Sequence, residues 1–381
     1  MDTRTQKIVD LINQAGLDGV LYATGANFQY LTHSNDVYWQ RCCMHNIAGN
    51  HSPHNVPEAL VYMNKEGRIT ILCTPQHRGR YNHPTVHAYM DQFEDELAPI
   101  IDGKKIGIGY NCGEWMKETL KEVDPEIITT EAENLMDYIR CYKDEEEIAQ
   151  LRKMAQFTDE AIMYVATHLK EGMTQYEAEH MLMEYGFEHG MEDFSFPPTI
   201  GFKTRGTFTP EQNFDFPRTT PLVPGTGIAF DIGFMNNGYC SDWGRTLYWG
   251  KAPEHVKKGY EALQAGQVAM VSQIVPYKTN INELYDMIEA EVVKRGFGDV
   301  LRYRDIKMLG HQIGIDCHEF PMLAASVDFV LKPGMVFCSE PKMMFEGETY
   351  MRVEDMILIT ETGAEFLSTF PRDMFEIGPT E

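Results

Sequence analysis

The chain has 381 residues, 43% of them hydrophobic, with 33 basic and 57 acidic residues and a formal net charge of −24. That length allows roughly two or three domains with sizeable cores. The acidic balance argues against nucleic acid, which needs a basic face, and against an anionic membrane surface. No run approaches the about 18 apolar residues of a membrane span. The opening MDTRTQKIVDLINQAG has no apolar stretch of the kind a signal peptide carries. Eight cysteines without a C-x-x-C pair point to a reduced chain, so a cytoplasmic location is expected.

The first 140 residues read as alternating α and β. Asp2 is placed to cap a helix whose stripe is Ile8, Val9, Leu11 and Ile12, stopped by Gly16. Gly19-Val20-Leu21-Tyr22 follows as a strand. Residues 59–62 and 69–72 flank the turn Lys65-Glu66-Gly67 as a hairpin. Strands are expected at 105–109 and 126–128, around a helix near 113–123. Residues 33–58 break the pattern with His33, His45, His51 and His54. They read as a long polar loop or, if the histidines converge, a metal patch.

A boundary is expected at Lys143/Asp144, which gives domains 1–143 and 144–381. A long amphipathic helix starts there and runs through Ile148, Leu151, Met154 and Ala155 to about Leu169. Thr174 and Glu177 form a capping box for a second helix. Two more helices are expected at 254–273 and 281–295, the latter between Asn280 with Glu283 and Gly296. Strands follow each pair. Two rounds of helix, helix, strands hint at a duplicated architecture.

The chemistry sits in those strands. Asp231 and Asp242 lie on either side of an Asn/Gly turn. A two-residue Asn236-Asn237 loop would set them directly opposite, with Cβ atoms roughly 5 Å apart. A hairpin turning at Gly347 would set Glu340 opposite Glu354. Opposed like charges destabilise a ladder, and buried carboxylates need a shared proton or a cation. Two such pairs, with His311 between them in sequence, point to divalent metal. The oxygen-rich donor set suits Mn²⁺, Co²⁺, Fe²⁺ or Zn²⁺ as a pair, which would activate water and polarise a carbonyl.

In this order, Asp231-Ile-Gly233, Gly238-Tyr-Cys-Ser-Asp242-Trp-Gly-Arg245-Thr246, Gly310-His311-Gln-Ile-Gly314, His318-Glu-Phe-Pro321, Glu340-Pro341 and Arg352-Val-Glu354-Asp355 resemble the pita-bread metallopeptidase family, which includes Xaa-Pro dipeptidase, aminopeptidase P and creatinase. The resemblance implies an α/β (α+β) chain: a C-terminal pita-bread catalytic domain preceded by a smaller creatinase-type N-terminal domain. It implies two metal ions, Asp231 and Asp242 holding one, His311 and Glu340 the other, with Asp242 and Glu354 bridging. Glu340 would also handle the proton of the bridging water, and His318 would contact substrate. Arg352 would orient ligands or neutralise the acidic core. The implied activity is a dinuclear-metal hydrolase like Xaa-Pro dipeptidase or aminopeptidase P, in which a metal-bridged hydroxide attacks an amide carbonyl. The alternative is a non-peptidase hydrolase or lyase acting on a small polar metabolite, like creatinase, ectoine hydrolase or dimethylsulfoniopropionate lyase. The resemblance also implies a homodimer, with Trp39, Arg41 and the histidine-rich loop as candidate cover for a partner's site.

Two departures stand out. Peptidases of this family carry a further histidine ahead of the first metal aspartate, but here no histidine lies between His189 and His255. Another family histidine, four residues before His311, is Lys307. Lys203, Arg205 and Lys307 are therefore candidates to supply positive charge to substrate. Cys240, Cys317 and Cys338 crowd the same motifs, as soft groups behind the ligands or as small core fillers.

Overall fold

The computed structural model describes residues 3–34, 44–46, 55–77, 79–81, 83–89 and 92–379. Trp39, Arg41, His51 and His54 lie outside them, as does the His45 side chain. The chain divides into two compact units, Met1–Arg140 and Cys141–Glu381. Among the described residues no helix is long and apolar enough to cross a membrane.

The first unit holds a six-stranded sheet in the order Thr85–His87, Ile69–Cys73, Ala59–Asn64, Gly19–Ala23, Lys105–Ile108, Ile128–Glu131. The expected hairpin forms, with Leu60 opposite Leu72 and Gly67 at a positive φ in its turn. The helix Thr3–Gln14 buries Ile8, Val9 and Ile12. Leu21, Tyr62, Leu72, Phe93 and Ile106 form the core.

The second unit repeats one plan. Asp144 caps the helix Glu145–His168: its carboxylate accepts from the Glu147 amide while Glu147 accepts from the Asp144 amide, each at 2.9 Å. Thr174 and Glu177 form the same box on Gln175–Glu188. These helices bury Met154, Ile162 and Leu182 against Ile200, Phe230 and Leu247 of a four-stranded sheet. A second pair, Glu254–Gln273 and Leu284–Lys294, buries Tyr260, Leu263 and Ile288 with Leu309, Phe337 and Ile357 of a five-stranded sheet. The two rounds read from the sequence are therefore two helix pairs, each packed with its own sheet.

The sheets meet at one bridge. The Glu354 amide donates to the Gly244 carbonyl at 2.7 Å, and Gly244 returns a longer bond at 3.4 Å. Just beneath, fully buried Arg245 donates to Asp355 Oδ1 at 2.6 Å and to the Glu354 carbonyl at 2.7 Å. One guanidinium thus ties both sheets together. Removing its partner would leave a buried cation uncompensated, which costs about 3–5 kcal/mol. Asp355→Ala is expected to lose that much unfolding free energy in urea melts. A loss below about 1 kcal/mol would show that Arg245 is neutralised elsewhere.

Candidate metal centre

The first carboxylate pair differs from its expected register. Asn237 and Gly238 both take positive φ, 52° and 78°, so the turn is Asn237-Gly238, and Asn236 pairs with Tyr239. Asn-Gly suits a turn that needs positive φ at both central positions. The register moves by two residues and Asp231 opposes Gly244, not Asp242. A two-residue shift keeps the same face, so the aspartates become diagonal neighbours.

The second pair keeps its register in an altered setting. Lys342 opposes Arg352 and Ser339 opposes Asp355, as a turn at Gly347 requires. Between those rungs the strands part. The Glu340 amide donates to Leu309 O at 2.9 Å and the Glu354 amide to Gly244 O, while Val353 alone still reaches Pro341 O. The two glutamates thus sit where the ladder opens, between rungs that keep the expected register.

One atom each from Asp242, His311, Cys338 and Glu354, all buried, lies within 4.8 Å of the others. His311 Nδ1 faces the Gln312 carbonyl at 3.0 Å. A carbonyl only accepts, so Nδ1 carries a proton, and Nε2, the nitrogen that would face an ion bound there, points to Asp242 Oδ2 at 3.3 Å. Asp242 Oδ1 and both oxygens of Glu354 have no hydrogen-bond partner among the described residues. Bare buried carboxylate oxygens are costly unless a cation meets them, so these residues fit a divalent ion. Burial, then Asp242 and Glu340, pushes the Glu354 carboxyl well up from its ordinary range. Burial pulls His311 down, but Asp242, Glu340 and the Gln312 carbonyl together outweigh it and the net shift is upward.

Asp231 and Glu340 face cations instead. Arg352 pairs with Asp231 and lies 3.0 Å from Glu340 Oε2 and 3.4 Å from Glu354 Oε2. The Lys342 ammonium contacts Glu340 as well. Lys342 was not among the expected site residues, although its place two positions after Glu340 was a signal. The His318 ring stands 4.0 Å from that of His311, and its side chain is exposed. Behind these groups, the Glu319 carboxylate accepts from the Ile315 and Asp316 amides at 2.9 and 3.2 Å and pairs with buried Lys143 at 2.9 Å. This shapes the loop that carries Cys317 and His318. The thiols divide: Cys317 donates to Asp242 Oδ2 at 3.3 Å, Cys338 joins the donor cluster, and Cys240 turns to the Ile315 carbonyl.

The three candidate substrate cations have their contacts elsewhere. Lys203 donates to the carbonyls of Gln212 and Asp215 and lies over the rings of Phe208 and Phe216. Exposed Arg205 lies 3.6 Å from Glu348, and Lys307 pairs with Asp286 at 2.6 Å. A residue that sequence reasoning missed, Arg302, stacks on Phe214 at 4.1 Å and on Tyr303 at 4.8 Å. Among the described residues no carboxylate pairs with it. With Phe216 and Tyr350 it lines a cavity of about 180 Å³ that reaches Asp231, Lys342 and Arg352.

The model of metallopeptidase family M24 matches residues 149–361. The chain belongs to metallopeptidase family M24. It is similar to the Xaa-Pro dipeptidase of Lactobacillus delbrueckii subsp. lactis, 31% identical over 228 residues that cover 59% of either chain. The chain spans about three fifths of the length of the first curated relatives it matches. Two solved structures match nearly end to end. The prolidase from Pyrococcus horikoshii OT3 has a TM-score of 0.79 at 22% identity, over 97% of this chain and 99% of that one. The X-Pro aminopeptidase from Thermotoga maritima MSB8 has 0.78 at 19%, over 98% and 99%. The fold is therefore the pita-bread architecture expected from the sequence, and members of family M24 use divalent metals.

Within this M24 site, Gly310 lets the His311 strand lie against its neighbour: a Cβ there would stand 2.0 Å from the Cys338 carbonyl oxygen. The backbone would have to move beside two members of the donor cluster. Gly310→Ala is expected to destabilise by about 1–3 kcal/mol, read from urea melts. An unchanged midpoint would show that the strands have room to part.

Proposed function

We propose that the protein is a metal-dependent hydrolase of short peptides that end in a free carboxylate, of the Xaa-Pro dipeptidase kind. One observation carries the reading. Carboxylate oxygens without hydrogen-bond partners among the described residues converge with a histidine beside a small cavity, walled by aromatic rings and an arginine that no described carboxylate pairs with. Asp242, His311 and Glu354 would hold the ion, with Asp231 and Glu340 beside them. A bound divalent ion supplies a Lewis acid and acidifies water.

The chain's own residues do the rest. Glu340, between Lys342 and Arg352, holds the proton released on attack at its carboxylate. Exposed His318 hydrogen-bonds the substrate near the scissile amide. Arg302, held over the Phe214 ring, takes the terminal carboxylate, and the ring faces of Phe216 and Tyr303 cover the apolar part of the same residue. A cavity of about 180 Å³ is of the size that one small residue fills.

Asp242→Ala and Glu354→Ala are expected to empty the site, whereas His318→Ala keeps the metal and loses turnover. Elemental analysis alongside peptidase assays distinguishes these cases. Full metal content in either acidic variant, or metal loss in step with activity in His318→Ala, would overturn the roles.

Turnover of Xaa-Pro dipeptides is expected to be slow. No histidine lies between His189 and His255, and Lys203 and Arg205 have their contacts elsewhere. One missing donor to a developing oxyanion typically costs on the order of 10²–10³ in rate. Steady-state kinetics on a panel of Xaa-Pro dipeptides should give kcat/KM below roughly 10⁴ M⁻¹s⁻¹. A higher value contradicts the expectation, and undetectable turnover of every peptide in the presence of Mn²⁺, Co²⁺ or Zn²⁺ overturns the function itself.

A further inference from the structure

We infer that this site is built for one divalent ion, with the Lys342 ammonium standing on Glu340 where the family resemblance implies a second metal. The inference rests on the metal-dependent reading above and narrows it.

Charge is the first argument. Asp231, Asp242, Glu340 and Glu354 bring four negative charges into a largely buried space. Arg352 lies against three of them, and Lys342 against Glu340. Those two cations leave two negative charges, which one divalent ion neutralises. A second ion would leave an excess of two positive charges, and a hydroxide between the ions would remove only one of them. An excess of that kind is strongly disfavoured away from water.

Vacant valence is the second argument, and it is independent of the count. The oxygens without hydrogen-bond partners are on Asp242 and Glu354, the residues grouped with His311. Asp231 and Glu340 are met closely by guanidinium and ammonium groups, whereas Arg352 reaches Glu354 only at 3.4 Å and neither Arg352 nor Lys342 forms an ion pair with Asp242. The half of the site that asks for a cation is the half that carries the imidazole.

Sequence is the third. Lys342 follows Glu340-Pro341 directly and opposes Arg352 in the ladder, so both cations project from one rung. Lys342 is buried, with its ammonium 5.6 Å from the Tyr303 ring. That ring flanks the ammonium, which contacts Glu340.

The test counts ions and needs no turnover. The full-length protein is dialysed to equilibrium against Mn²⁺ and, separately, Zn²⁺, and bound metal per chain is measured by elemental analysis. The wild type should hold one equivalent, and its Mn²⁺ form should give the paramagnetic resonance spectrum of an isolated ion. Lys342→Gly should take up a second equivalent and show exchange coupling between two ions, while Lys342→Arg should stay at one. Lys342→Met keeps the stem's apolar volume and serves if the glycine variant does not fold. Two equivalents in the wild type overturn the inference, as does a folded Lys342→Met or Lys342→Gly that stays at one. A one-ion protein that cleaves no peptide would sink the proposed function and leave this inference standing. A two-ion peptidase would do the reverse.

Discussion

The second unit is organised around compensation of buried charge at a seam. Two sheets, each with its own helix pair, meet through the Gly244–Glu354 bridge, and acidic side chains gather on either side of it. In a water-poor interior each carboxylate needs a cation, a proton or several donors. Arg245 answers Asp355 below the bridge, and Arg352 answers Asp231 and Glu340 above it. Gly244 belongs to the same arrangement. A Cβ there would stand 2.5 Å from the Arg352 Cδ, so only glycine lets that side chain cross the seam. The G-R-T and R-x-E-D elements are therefore one packing unit, and the carboxylate site depends on it.

Much of the framework follows from local rules. The boxes Asp144/Glu147, Thr174/Glu177 and Asn280/Glu283 all form, because each satisfies amides that a helix start leaves without partners. The hairpin centred on Gly347 holds its register because a positive-φ glycine in a short turn leaves one alignment. The aspartate hairpin was harder to read, since Asn236, Asn237 and Gly238 admit two turns that differ by one residue. Conformational preference for Asn-Gly decides between them, and the consequence is long-range: every rung moves by two. The alternation of faces survives such a shift, so the aspartates were recognisable as neighbours although their pairing was misplaced.

Side chains that act through tertiary contact were less legible. Lys203 lies on a strand beside the aspartates, but its ammonium turns to the carbonyls of the 208–216 segment, which chain proximity does not reveal. Arg205 and Lys307 likewise find acids outside the cluster, in Glu348 and Asp286. In an acidic chain most exposed cations meet a carboxylate nearby, so a basic residue beside a motif is weak grounds for a substrate contact. Lys342 was visible from its spacing to Glu340. Arg302 was not, because it lies in an aperiodic stretch and is oriented by Phe214, far away in sequence.

The exception set by Arg302 bears on what the cavity can hold. With 57 acids and 33 bases, this chain offers an arginine many partners. Arg302 nonetheless stacks on Phe214 and Tyr303, an arrangement that restrains the guanidinium while leaving its N–H groups unclaimed by acid. Lys342 and Arg352 line the same cavity, but their charge is already engaged by Glu340 and Asp231. Among the described residues lining the cavity, the positive charge without an acid partner is therefore Arg302, set against aromatic walls. A neutral apolar ligand would leave that guanidinium without a counter-charge. A carboxylate on a small ring or short side chain would meet both the charge and the ring faces, as the C-terminal residue of the proposed peptide substrate would.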